Sequence, residues 1–300
     1  MRFSYGSVGF NDRDLEAALA AIAAAGFDLT EVMGKEPHVG TPLSGRALVE
    51  LRQYIQASGV SAASVHAPMR HNVLGPPDED WRRAKVPVFK QYLQFTAAIE
   101  ATDMIVHPVP NPMFVEDPER PGIGDAMYEA VRRSLDELMP VLEQTGVRIL
   151  LENLPYQCSF PLLTVGELEA FVDPYPKACV GLVFDTGHAG AMQLDPAAEI
   201  RASGNRLWGT HLEDIRWGEG IDNHWIPTHG SLDWEVILAA LREVDYRGVL
   251  TFEVINGRND ESREELARLS RAVASQWQTQ IENRLVQPPI PDSQGPGAPP

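Results

Sequence analysis

The strongest constraint on the fold is a strand–helix unit that recurs along nearly the whole chain. Phe3–Val8 reads as a first strand, and Asp14–Ala25 as an Ala-rich helix that starts near Asn11 or Asp12 and stops at Gly26. Strand Phe27–Val32, helix Gly45–Ser58 and strand Val60–His66 repeat the unit. Helix Asp80–Ala101 then precedes strand Met104–His107, helix Asp125–Thr145 precedes strand Val147–Glu152, and short helix Val165–Val172 precedes strand Val180–Asp185. Helix Pro196–Ala202 leads to strand Arg206–His211, helix Trp234–Val244 leads to strand Gly248–Glu253, and a last helix runs over Glu261–Leu285. Eight such strands, each followed by a helix, predict an α/β fold of the (β/α)8 TIM-barrel kind, a single domain over residues 1–285. A doubly wound open sheet needs fewer strands and usually a Gly-rich phosphate loop after the first, which is missing here. Residues 286–300, rich in Pro and Gly, cannot build a core and read as a disordered tail whose Pro-x-x-Pro is a weak SH3-type signal.

Composition narrows the function classes. With 44% hydrophobic and 22% charged residues over 300 positions, the chain can bury a large core. It has no apolar run of membrane-spanning length, and its first residues lack a signal-peptide layout, which predicts a cytoplasmic protein. Cys158 and Cys179 are too few for a disulfide framework and read as reduced thiols. A formal charge of −17 opposes a general electrostatic grip on nucleic acid or an anionic membrane, although one basic loop or a bound cation can still meet a phosphate. The sequence is compatible with a homo-oligomer and carries no signal that tests it.

Six successive strands finish in residues that can bind a metal. They are His66, His107, Glu152, Asp185 followed by His188, His211, and Glu253. Taken singly, each has an ordinary reading: Asp185 as a helix cap, the histidines as hydrogen-bonded core residues, and the glutamates as salt-bridge partners. In a barrel, however, all strand C-termini converge on one face, where unpaired carboxylates and imidazoles are costly to desolvate and a divalent cation removes the cost. Mixed carboxylate and imidazole donors suit Mn, Zn or Co better than Ca. The loop after the seventh strand adds Asp222 and His224, which point the same way if locally extended. His229 reads as a solvated loop residue, Trp234 as core, and Trp225 as core or as a wall of the site mouth.

In this order the residues resemble the xylose-isomerase-like TIM-barrel superfamily, which contains sugar isomerases, sugar 3-epimerases, inosose dehydratases and the endonuclease IV group. The resemblance spans roughly residues 1–285. It implies one ion held by Glu152, Asp185, His211 and Glu253. By resemblance to the endonuclease IV group it implies two more, one held by His66 and His107 with Glu152 and one by His188, Asp222 and His224, so one to three ions per chain. Gly26-Phe-Asp-Leu-Thr-Glu31 resembles the second strand of the sugar enzymes, in which the Glu faces the pocket, so Glu31 becomes a substrate-binding candidate; its alternative is a structural salt bridge. Arg216 lies near where epimerases carry a substrate-binding Arg, and His188 is either a substrate contact or an ion ligand. The loop Gly34-Lys35-Glu-Pro-His-Val-Gly has one cation and does not resemble the DNA-recognition loop of endonuclease IV. Arg70 and His71 read as solvated loop, with phosphate contact as the alternative.

The resemblance therefore implies a metal-dependent isomerase or epimerase acting on a small-molecule sugar or sugar phosphate. A metal-stabilised enediolate would form as Glu152 and Glu253 remove and return a proton. The alternative is an endonuclease IV-like three-metal phosphodiesterase acting on abasic DNA. A third reading is a barrel that binds a sugar without turning it over.

Overall fold

The computed structural model describes residues 2–40 and 45–286; the Pro- and Gly-rich tail expected over 286–300 falls almost wholly outside the described residues. Eight strands form a closed parallel barrel in sequence order: β1 (Arg2–Gly6), β2 (Leu29–Met33), β3 (Ser61–His66), β4 (Asp103–Val106), β5 (Arg148–Glu152), β6 (Val180–Asp185), β7 (Leu207–Leu212) and β8 (Val249–Phe252). Closure is made by β1 pairing with β8, with Arg2 opposite Val249 and Tyr5 opposite Phe252. Strands such as Arg148-Ile-Leu-Leu-Glu and Val180-Gly-Leu-Val-Phe-Asp are apolar on both faces. One face packs inside the barrel and the other against the helices, so continuous apolar runs are what a parallel strand requires.

The outer layer is α1 (Leu15–Ala24), α2 (Gly45–Ser58), α3 (Glu79–Ala98), α4 (Ile123–Thr145), α5 (Val165–Val172), α6 (Thr186–Ala191), α7 (Pro196–Ala202), α8 (Trp234–Glu243) and α9 (Arg263–Val286). The expected boundaries of α2, α5, α7 and β6 coincide with the observed ones, and the rest move by a few residues. The start of α1 is set by Asp14, whose side chain accepts the Ala17 N–H, rather than by Asn11 or Asp12. The end of the first expected strand is instead a short 3-10 turn, Ser7–Phe10. Trp234 is core, as expected: its ring stacks on Trp277 of α9 at 5.2 Å, and Trp277 stacks on Phe252 of β8 at 5.7 Å, sealing the last helix to the barrel. Cys158 and Cys179 are free thiols.

Helix α6 was not among the expected elements, which pass from the strand ending at Asp185 to the helix Pro196–Ala202. Gly187 and Gly190 weaken helix propensity and hide it. Both are glycine for a packing reason: a Cβ on Gly187 would lie 2.2 Å from Glu213 Oε1, and one on Gly190 would lie 2.9 Å from Ile215 Cγ1. The segment following β7 thus presses on this helix too closely for any side chain.

Candidate metal centre at the barrel mouth

The side chains at the strand ends converge as the barrel geometry requires. Glu152, at the end of β5, is the hub. Its Oε2 lies 3.3 Å from His66 Nε2 and 3.1 Å from His107 Nε2, and its Oε1 lies 2.8 Å from His211 Nδ1. His211 Nδ1 is also 2.9 Å from Glu253 Oε2 and 3.8 Å from Asp185 Oδ2. Among the described residues three groups of donor atoms result, each within 4.8 Å: Glu152, Asp185, His211 and Glu253; His66, His107 and Glu152; and His188, Glu213, Asp222 and His224.

Asp185 combines the two roles weighed for it. Its Oδ1 caps α6 by accepting the His188 N–H at 2.7 Å, while its Oδ2 is buried without a hydrogen-bond partner and is left for a cation. Asn153 holds this strand end in register, donating to the Asp185 carbonyl and accepting the Asp185 N–H. Carbonyl contacts orient the rings as well. His66 Nδ1 is 2.8 Å from the Ala67 carbonyl and His188 Nδ1 is 2.8 Å from the Asn153 carbonyl. A proton on each Nδ1 leaves Nε2 as the donor atom facing the carboxylates. In the third group, His188 Nε2 lies 3.3 Å and His224 Nε2 3.0 Å from Asp222 Oδ2.

Glu213 was not among the residues picked out from the sequence. It is fully buried, its Oε2 is 2.9 Å from His224 Nδ1, and neither oxygen has a hydrogen-bond partner. The signal was available, because Glu213 lies two residues after His211 and so projects to the same side of an extended chain. Asp214 was also missed. It accepts the N–H groups of Ile215, Thr228, Ser231 and Leu232 and the Trp234 indole N–H, and so ties down the loop that carries Asp222 and His224.

The two substrate-binding candidates Glu31 and Arg216 both have protein partners. Glu31 Oε1 lies 3.0 Å from His211 Nε2, outside hydrogen-bond alignment, and Glu31 Oε2 accepts the Ser64 hydroxyl at 2.7 Å, so its carboxylate backs the His211 ring. Arg216 is exposed; it pairs with Glu219 at 3.1 Å and lies over the Trp225 ring. Arg258 lies over the same ring, and Trp225 is half-buried rather than core.

Burial and crowding distort the acidities here. Burial, reinforced by the charges of Glu152, Glu253 and Asp222 against the opposing His188, pushes Asp185 up to about 6. Burial also pushes Glu213 well above the usual carboxylate range, and the Asp222 charge adds to it. For His188, burial alone would lower the imidazole, but the Asp185 and Asp222 charges outweigh it and raise it to about 10. Burial would raise Glu253 too, yet the His211 charge and hydrogen bond hold it down to about 2. Buried carboxylates thus compete for the positive charge of protonated imidazoles. The orphaned oxygens and the mixed donor set fit divalent cations, which can supply that charge instead.

The chain resembles known proteins over most of its length. A D-psicose 3-epimerase of Enterocloster bolteae is 26% identical over 243 residues, covering 80% of this chain and 76% of the relative. An inosose isomerase of Bacillus velezensis is 25% identical over 239 residues, covering 76% and 79%. Among solved structures, a D-tagatose 3-epimerase-like protein superposes with a TM-score of 0.77 at 21% identity, covering 95% of this chain and all of the other. The IOLI protein with a bound zinc atom superposes with a TM-score of 0.74 at 19% identity, covering 95% and 99%. The family model described as xylose isomerase-like TIM barrel matches residues 19–272, and with the closed eight-stranded barrel this makes the chain a member of that family.

Proposed function

We propose that this protein is a divalent-metal-dependent isomerase or epimerase acting on a sugar. The observation that carries the reading is the pair of buried glutamates, Glu152 on β5 and Glu253 just past β8, which meet at the same imidazole from different sides of the barrel mouth. Relatives named as a ketose 3-epimerase and an inosose isomerase support the substrate class, and a zinc-bound structural neighbour supports the metal.

Glu152, Asp185, His211 and Glu253 would hold the ion. When bound there, a divalent cation supplies Lewis-acid polarisation of a sugar carbonyl and compensates the developing negative charge. The chain does the proton chemistry: one of Glu152 and Glu253 takes the proton from the carbon beside the carbonyl, and the other returns it from the far face. Their burial excludes water that would compete for that proton. Glu31 acts through His211, holding the ring so that Nδ1 faces the ion. His188 presents Nε2 either to a substrate oxygen or, with Glu213, Asp222 and His224, to a further ion. That group offers four protein donors, two of them carboxylates.

The test is incubation with ketoses, aldoses and inososes in D2O, with NMR detection of deuterium on carbon. Glu152→Gln and Glu253→Gln should each slow exchange by about 10^2–10^4-fold while the protein stays folded. Exchange at the parental rate in both variants would refute the assignment.

A further inference from the structure

In a chain of net charge −17, a cavity whose lining sets three Lys and Arg side chains against one carboxylate stands out. It has a volume of about 530 Å3, and its lining includes Asn11, Lys35, Glu36, Arg70, His71 and Lys85. Lys35 follows the end of β2 by two residues and Arg70 follows the end of β3 by four, so both sit on the strand-end face that carries the ligand groups. Backbone bonds fasten the two loops: Gly34 N–H donates to the His66 carbonyl and Lys35 N–H to the Met33 carbonyl. Lys85 comes in from α3. The His71 ring packs 4.6 Å from Phe114 and 5.7 Å from Trp81, whose indole N–H donates to the His71 carbonyl at 2.6 Å. Arg70 is held at a φ of 66°, a left-handed conformation that a residue with a Cβ adopts at a cost.

Among the described residues, Lys35, Arg70 and Lys85 form no ion pair, whereas Arg13, Arg82, Arg148 and Arg201 each pair with a carboxylate. Half-burial and then the Arg70 charge lower the Lys35 amine, with the Glu253 charge opposing. Unpaired cations gathered on the barrel face that carries the ligand groups call for an anion.

We propose that this cavity is a subsite for the phosphate monoester at the far end of the substrate, which makes the substrate a sugar phosphate. The proposal rests on the sugar isomerase or epimerase reading and goes beyond the relatives, whose names specify D-psicose and inosose.

Two measurements test it. In D2O exchange kinetics, terminal phosphates of ketohexoses should be preferred over the free ketoses, and Lys35→Gln or Arg70→Gln should lower that preference about ten- to a hundredfold, the loss expected for a charged hydrogen bond. The control Arg83→Gln, on the exposed side of α3, should leave the preference as it was. In calorimetry, inorganic phosphate should bind the intact protein, and Lys35→Gln, Arg70→Gln and Lys85→Gln should each weaken it. Equal use of free and phosphorylated ketoses, or phosphate binding indifferent to these variants, overturns the subsite. Phosphate binding that depends on Lys35 and Arg70 while no sugar exchanges deuterium keeps the anion site and sinks the sugar reading instead. Cleavage of abasic duplex DNA that falls with Lys35→Gln would assign the cavity to a nucleic-acid phosphate and overturn the proposal.

Discussion

Asp214→Asn is the substitution whose cost follows most directly from geometry. The change conserves shape and removes one acceptor oxygen. Asp214 Oδ1 accepts from Ile215, Ser231 and Leu232 at 2.9–3.1 Å, and Oδ2 accepts from Thr228 at 3.0 Å and the Trp234 indole at 2.7 Å. An asparagine must turn its NH2 toward one of these sets. Facing the first orphans three donors, two of them on buried residues, so the NH2 should face the second, against the buried Trp234 N–H and the wetter Thr228 amide. Losing a charged acceptor at the indole and a weaker bond at Thr228 gives a destabilisation of about 2–4 kcal/mol. That is a large share of the roughly 5–15 kcal/mol that holds a typical domain folded. Urea denaturation should show a lower midpoint at unchanged slope. Because residues 214 and 225 also pair by their backbones across the loop bearing Asp222 and His224, metal bound at that loop should weaken in the same variant. A destabilisation below about 0.5 kcal/mol, the range of an ordinary surface substitution, would refute the view of Asp214 as the anchor.

Other outcomes follow from the same site. Gly187→Ala drives a methyl into the Glu213 carboxylate, so it should lower metal affinity at the His188 group, read by competition with a coloured chelator; unchanged affinity would remove Glu213 from the donor set. Chelator dialysis should lower the melting temperature, since an ion at a hundred times its Kd stabilises the native state by about 2.7 kcal/mol; equal melting with and without chelator would contradict a native metal centre. His188, raised to about 10, is protonated at neutral pH and must lose that proton to bind an ion. Zinc binding should therefore release protons and tighten as pH rises, which calorimetry in buffers of different ionisation enthalpy reads directly. Binding heats that do not depend on the buffer would contradict it.

What the sequence determined by itself was the set of elements and the inventory of donors. Strand and helix periods are local, so eight alternations and six ligand-bearing strand ends could be read without coordinates, as could the pairing of Asp222 with His224. Tertiary structure decided how those donors are used. Whether Asp185 caps or binds could not be read, because its two oxygens answer to different neighbours: one to the next helix and one to His211 across the barrel. Helix α6 was hidden by glycines whose reason is contact with Glu213 and Ile215, more than twenty residues away along the chain. Glu31, read as a substrate-binding candidate or a salt-bridge partner, lies against His211, and Arg216 lies over Trp225. Where the deciding contact joins residues distant in sequence, as between Asp185 and His211 or Gly187 and Glu213, a local pattern carries no information about which partner closes the distance.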